Sequence, residues 1–101
     1  MRVVAVSTLR AFWSRHPAAE QSLRAWYQEA LHATWSQPAD IKRQFRSASV
    51  LKNRRVVFNI KGNDYRLVVA VAYRYQSVYI KFEGTHAQYE AIDVLTVEVP
   101  Q

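Results

Sequence analysis

Val56-Val57-Phe58-Asn59-Ile60-Lys61-Gly62-Asn63-Asp64-Tyr65-Arg66-Leu67-Val68-Val69-Ala70-Val71-Ala72 is the stretch in which the chain changes period. Apolar residues before it recur at helical spacing, and from Val56 onward they alternate. Val56–Ile60 reads as a strand and Lys61–Asp64 as a turn, with Gly62 and Asn63 available for positive φ. Tyr65–Tyr75 reads as a long strand, Gln76-Ser77 as a tight connection and Val78–Glu83 as another strand. The loop at 61–64 pairs Ile60 with Tyr65, and a two-residue loop at 76–77 pairs Tyr75 with Val78. Alternation then gathers Phe58, Ile60, Leu67, Val69, Val71, Tyr73, Val78, Ile80 and Phe82 into an apolar floor for helices. The opposite face carries Arg55, Val57, Asn59, Arg66, Val68, Ala70, Ala72, Arg74, Tyr79, Lys81 and Glu83. In this register Arg66 sits across from Asn59, and Arg55, Ala70 and Glu83 form a row.

Outward from this sheet, the spacing predicts two helices on the N-terminal side. Val3–Val6 is a short β-branched strand, and Ser7 is the expected cap of a first helix carrying Leu9, Phe12 and Trp13. Pro17 stops that helix near His16 and suits the first turn of the next. Leu23, Trp26, Tyr27, Ala30, Leu31 and Thr34 then form one apolar stripe, ended by Gln37-Pro38-Ala39-Asp40. A weak helical turn is expected over Ile41–Phe45 and a loop over Arg46–Asn53. On the C-terminal side Thr85 caps a short helix over about residues 85–95. The order is β-α-α-β-β-β-α. The fold class is α+β, a small antiparallel-dominated sheet with two N-terminal helices packed on one face, in a single domain over residues 1–101.

Composition excludes several functions. The chain has no cysteine, which removes disulfide scaffolds, thiolate zinc sites and cysteine nucleophiles. Three scattered histidines make a His-rich metal site improbable, and the basic half offers a metal-dependent nuclease only Asp64. There is no phosphate-binding loop or Gly-rich dinucleotide fingerprint, so neither metal nor cofactor is expected. No apolar run approaches the ~18 residues of a membrane span, and the N-terminal apolar run is too short for a signal peptide. These features predict a soluble cytoplasmic protein with no membrane partner.

The net charge of +6 is concentrated. Residues 41–66 carry Lys42, Arg43, Arg46, Lys52, Arg54, Arg55, Lys61 and Arg66 against Asp64 alone, for +7, while residues 67–101 sum to −2. Such a segment is the footprint of a protein that meets polyphosphate, and it equally suits a solvated basic face. Ala70 and Ala72, poor strand formers, leave a shallow hollow on the polar face, and arginine there offers a planar fork to phosphate. His86 and Tyr89 share a helix face, where histidine is the usual acid or base and where a surface histidine and a core tyrosine also fit. Lys61 suits a solvated turn as well as a phosphate contact. Trp13, Trp26 and Trp35 are expected in the core, and His16 and His32 in structural positions.

The run Val57–Val68, followed by Tyr79-Ile80-Lys81-Phe82-Glu83-Gly84-Thr85-His86-Ala87-Gln88-Tyr89-Glu90, resembles the HigB toxins of bacterial type II toxin–antitoxin modules, within the RelE superfamily of mRNA interferases. The resemblance implies a RelE-like fold and a metal-independent endoribonuclease that cuts mRNA, in most such toxins in the ribosomal A site. It places Arg66 where the superfamily stabilises phosphate, and Gly84, His86 and Tyr89 where it keeps acid–base or positioning groups. His86 stands near where other members have arginine, which leaves the identity of the base open. On this reading Arg66, His86, Tyr89 and Lys61 are catalytic. Lys42, Arg43, Arg46, Lys52, Arg54, Arg55, Asn59, Arg74 and Lys81 contact RNA or the ribosome, including 16S rRNA. The implied partner is a HigA-type helix-turn-helix antitoxin, with the acidic C-terminal segment and the exposed helix faces as candidate interfaces. The rival readings are a basic RNA- or ribosome-binding module that cuts nothing and a purely protein-binding subunit.

Overall fold

Residues 1–99 are described in a computed structural model. Strand β1 (Arg2–Val4) leads directly into α1 (Val6–Arg15), because Val6 packs against the core and draws the helix start forward. Extended Ala5 is therefore the N-cap in place of Ser7, and the Thr8 hydroxyl donates to the Ala5 carbonyl at 2.8 Å. His16 ends α1, and a 3-10 turn at Pro17–Ala19 feeds α2 (Glu20–His32). Leu23, Trp26 and Ala30 of the expected stripe are buried, but Leu31 is exposed and Thr34 lies past the helix end.

Pro38 starts a helix instead of ending one. Its fixed φ suits the first turn of α3 (Pro38–Gln44), whose Asp40 accepts from the Ser36 N–H and hydroxyl at 2.9 and 3.0 Å. These bonds hold the Asp40 carboxyl below its usual range. The weak turn expected at Ile41–Phe45 is thus the second half of a seven-residue helix. The loop expected at Arg46–Asn53 contains a two-residue strand, β2 (Ser49–Val50).

With β3 (Arg55–Ile60), β4 (Tyr65–Ala72) and β5 (Ser77–Thr85), the chain builds a five-stranded sheet in the order β1-β5-β4-β3-β2, parallel only between β1 and β5. The class is α+β. One face receives Leu9, Phe12, Leu23, Trp26 and Ile41 from the helices, against Phe58, Leu67, Val69, Val71 and Ile80. Trp26, Trp35 and Phe45 surround the Phe58 ring, with centroids 5.3, 6.4 and 5.0 Å away, and all three tryptophans are buried. Among the described residues no helix is long and apolar enough to cross a membrane.

Between β3 and β4 the register is the expected one: Ile60 faces Tyr65 and Asn59 faces Arg66. Between β4 and β5 it is not. Tyr73–Tyr75 coil into a 3-10 turn, Gln76 adopts left-handed φ of 51°, and its side chain donates to the Trp35 and Tyr73 carbonyls. Ala72 therefore pairs with Ser77, where a two-residue loop put Lys81. That even displacement leaves the faces of residues 77–80 unchanged. A bulge does not: Val69 pairs with Ile80 and Val68 with Phe82, so Lys81 is the extra residue and the facing reverses beyond it. Phe82 joins Val68 on the outer face, and Glu83 leaves the expected row with Arg55 and Ala70 to lie beside Thr8, Ala11 and Arg15 of α1.

Thr85 caps α4 (His86–Glu90) in a capping box with Gln88, as its hydroxyl accepts from the Gln88 N–H at 3.2 Å. The helix stops at Glu90, well short of the expected residue 95. The chain then continues irregularly across the outer face of the sheet, where Val94 and Val97 reach Arg55 on β3 and Glu98 reaches Lys81 on β5.

Candidate functional site

The outer face has two open ends separated by this C-terminal segment. At one end Arg66 stands on β4 between Asn59 on β3 and Gly84 on β5. Gly84 has a steric reason to lack a side chain: a Cβ there would lie 2.5 Å from the Phe82 ring and 2.9 Å from Gln88 Oε1. The Arg66 guanidinium donates to the Asn63 carbonyl at 3.0 Å and lies 5.8 Å from the centroid of the Tyr89 ring. It has no carboxylate partner among the described residues. The His86 N–H donates to the Asp64 carbonyl at 3.1 Å, which ties the start of α4 to the 61–64 turn. The exposed His86 ring reaches Glu90, with Nε2 3.2 Å from Oε1. Arg66 and Tyr89 thus meet at one rim, and the backbone of His86 is tied to the turn that precedes Arg66.

Lys61, in the turn after β3, opens toward α2, and Asn59 borders the same groove from the end of β3. Both line a groove of about 210 Å3 with Ser22, Trp26 and Glu29 of α2, and no hydrogen bond or ion pair among the described residues joins Lys61 to His86 or Tyr89. Lys61 takes φ of 53° in the turn.

The other end is the hollow expected from two small residues on a central strand. Ala70, Ala72, Tyr79, Arg54 and Lys81 line about 260 Å3 there. Arg54 is exposed at the hollow's edge with φ of 57°. Arg46, Lys52 and Arg74 are also exposed and, among the described residues, without a carboxylate partner, and the Arg74 guanidinium lies over the Tyr75 ring at 5.7 Å. Arg43 contacts Asp40 at 3.3 Å, and Lys42 donates to the Ala48 carbonyl.

Arg55 and Lys81 are instead held by the C-terminal segment. Arg55 is 6% exposed. It donates to the Val97 carbonyl at 2.6 Å and to Glu98 Oε2 at 2.9 Å, while Lys81 donates to Glu98 Oε1 at 2.7 Å. Lys81 and then Arg55 hold the Glu98 carboxyl below its ordinary range. Nothing in the local sequence pairs Glu98 with two strands that lie 17 and 43 residues away. Glu83 is the other acid that sequence reading misplaces. Its Oε2 is buried with no hydrogen-bond partner among the described residues, and burial pushes the carboxyl up to about 7 against a smaller opposing pull from Arg15.

A family model for the HigB toxin, described as the RelE-like toxic component of a toxin–antitoxin system, matches residues 19–92. The chain belongs to the HigB toxin family. No curated protein is significantly similar in sequence. The HigB match runs from the start of α2 through α4, so it contains the whole Arg66–His86–Tyr89 rim and the basic segment. It ends before Asp93, and the segment that binds Arg55 and Lys81 lies outside it. As the toxic component of such a system, this HigB toxin has an antitoxin for a partner.

Proposed function

We propose that this HigB toxin, acting as one domain over residues 1–101, is a cytoplasmic, metal-independent endoribonuclease that cuts mRNA in the ribosomal A site. The contact of Arg66 with Tyr89, at a rim where the start of the His86 helix is tied to the Arg66 turn and beside a +7 segment, supports the reading. Cleavage without a metal needs a base for the 2′-OH proton, cations for the phosphorane and an acid for the 5′-oxygen. O2′ attacks phosphorus, the P–O5′ bond breaks, and the products are a 2′,3′-cyclic phosphate and a 5′-OH. Arg66 neutralises the charge gathering on the non-bridging oxygens, and a turn lysine, Lys61, assists from the neighbouring groove. His86 moves a proton, with Glu90 orienting its ring. Tyr89 packs against Arg66 and positions it, and Asn59, the cross-strand neighbour of Arg66, orients the substrate. Lys42, Arg43, Arg46, Lys52, Arg54 and Arg74 supply the phosphate contacts of mRNA and 16S rRNA. The partner is a helix-turn-helix antitoxin of HigA type.

Mapping 5′ ends of cellular RNA after induction tests this reading. New ends phased within codons are expected, and they vanish in Arg66→Ala. If Arg66→Ala and His86→Ala both leave growth arrest intact while Arg54→Glu abolishes it, the toxin is a basic ribosome-binding module that cuts nothing.

A further inference from the structure

Glu98 bridges cations on two strands, giving one carboxylate oxygen to Arg55 at 2.9 Å and the other to Lys81 at 2.7 Å. A phosphodiester has the same charge, and its two non-bridging oxygens can meet the same two donors, the guanidinium as a fork and the ammonium as a point charge. The bridge occupies the middle of the outer face. Arg55 pairs with Ala70, and Lys81 is the bulged residue between the partners of Val68 and Val69. Arg66 therefore lies on one side of the bridge along β4, and Ala72 with its hollow on the other. A single strand running between Arg54 and Arg66 passes over Glu98.

The bridge is also open to competition. The Glu98 side chain is 58% exposed although Arg55 beneath it is buried, so an anion can approach from solvent. An ion pair with one exposed partner is screened by salt and holds weakly. The rest of the segment is held mainly through backbone carbonyls, those of Val97 and Val94 to Arg55 and that of Leu95 to Asn53. Loss of the carboxylate contact alone leaves these anchors in place.

We propose that Arg55 and Lys81 form a phosphodiester subsite on the sheet face, which Glu98 of the toxin's own C-terminal segment fills until an RNA backbone displaces it. The inference rests on the RNA-binding part of the proposed function and is independent of the chemistry at Arg66. Its test is binding of the full chain to a fluorescent single-stranded 2′-O-methyl oligonucleotide, which has no free 2′-OH to react, over a range of salt. Glu98→Gln is expected to bind roughly fivefold tighter at low salt. Its log K against log salt should steepen by about 0.7, the increment for one further phosphate on a single strand. Glu20→Gln removes the same charge and likewise releases an arginine, Arg24, but on α2, and it should change binding far less. Lys81→Ala added to Glu98→Gln should remove the gain, with circular dichroism checking that each variant is folded. Equal affinity and slope in Glu98→Gln and Glu20→Gln overturns the subsite, as does a chain that binds no oligonucleotide in any form. The nuclease reading fails separately, if Arg66→Ala cleaves RNA as well as the unsubstituted chain.

Discussion

Arg55 and Arg66 point from the same face of neighbouring strands, yet the two ends of that face have become different kinds of place. Arg55 lies under the C-terminal segment and spends its donors on two carbonyls and Glu98. Arg66 touches only carbonyls of its own turn and the Tyr89 ring, and keeps its charge uncompensated among the described residues. The same side chain, set by the same alternation, is a clamp in one position and an available phosphate fork in the other. What differs is cover, which comes from residues far away in sequence.

Truncation of each arginine separates the two roles most sharply. Arg66→Ala should lower RNA cleavage by about 100- to 1,000-fold, the cost of removing one group aimed at transition-state charge. Its stability in urea should shift by no more than about 0.5 kcal/mol, because nothing buried depends on it. Arg55→Ala should do the reverse to stability, losing about 3 kcal/mol as the buried guanidinium's bonds to the C-terminal segment are lost, with the midpoint of urea unfolding as the measurement. Equal unfolding midpoints for the two variants would remove the distinction.

The acids extend the comparison. Glu98 is satisfied by cations, whereas half-buried Glu83 lies against α1 with its Oε2 buried and, among the described residues, unpaired. The folded Glu83 carboxyl binds its proton more tightly than the unfolded one, near 7 against an ordinary 4.5. The native state therefore holds more protons between these values, and stability falls as pH rises through that window. The cost is absent below it and complete above it. Glu83→Gln should be more stable than the unsubstituted chain by about 2 kcal/mol at pH 8, and the gain should disappear by pH 4. A gain independent of pH would mean that the Glu83 carboxyl binds its proton equally well in the folded and unfolded chain.

The smallest expected effect is at the open rim. Gly84→Ala forces the end of the Phe82 ring aside, and that partly exposed ring can yield, so the loss of stability should be about 1 kcal/mol. Cleavage should fall more than stability does, because Phe82 and Gly84 lie beside Arg66 and the cap of α4. Proportionate losses would make Gly84 a packing residue and no part of the rim.

Much of the fold can be read locally. Loop length set the β3–β4 register, and with it the neighbourhood of Asn59 and Arg66. Thr85 announced the start of α4, and Ala70 and Ala72 announced the hollow. The β4–β5 register is not legible locally, because Tyr73-Arg74-Tyr75 has strand composition while the Gln76 side chain and its bond to Trp35, 41 residues away, select a 3-10 turn. The bulge at Lys81 was invisible for a related reason. Ile80-Lys81-Phe82-Glu83 alternates perfectly on paper, and only pairing with Val68 and Val69 shows that one residue is extra.

The sequence by itself determined the class of fold, the apolar floor and the concentration of charge between residues 41 and 66. These follow from periodicity and turn chemistry, which act over a few residues. Tertiary structure alone decided which cations stay free, which carboxylate is stranded and where the C-terminal segment lies. Those outcomes depend on burial and ion pairing between elements tens of residues apart, and side-chain alternation carries no information about what will cover a face.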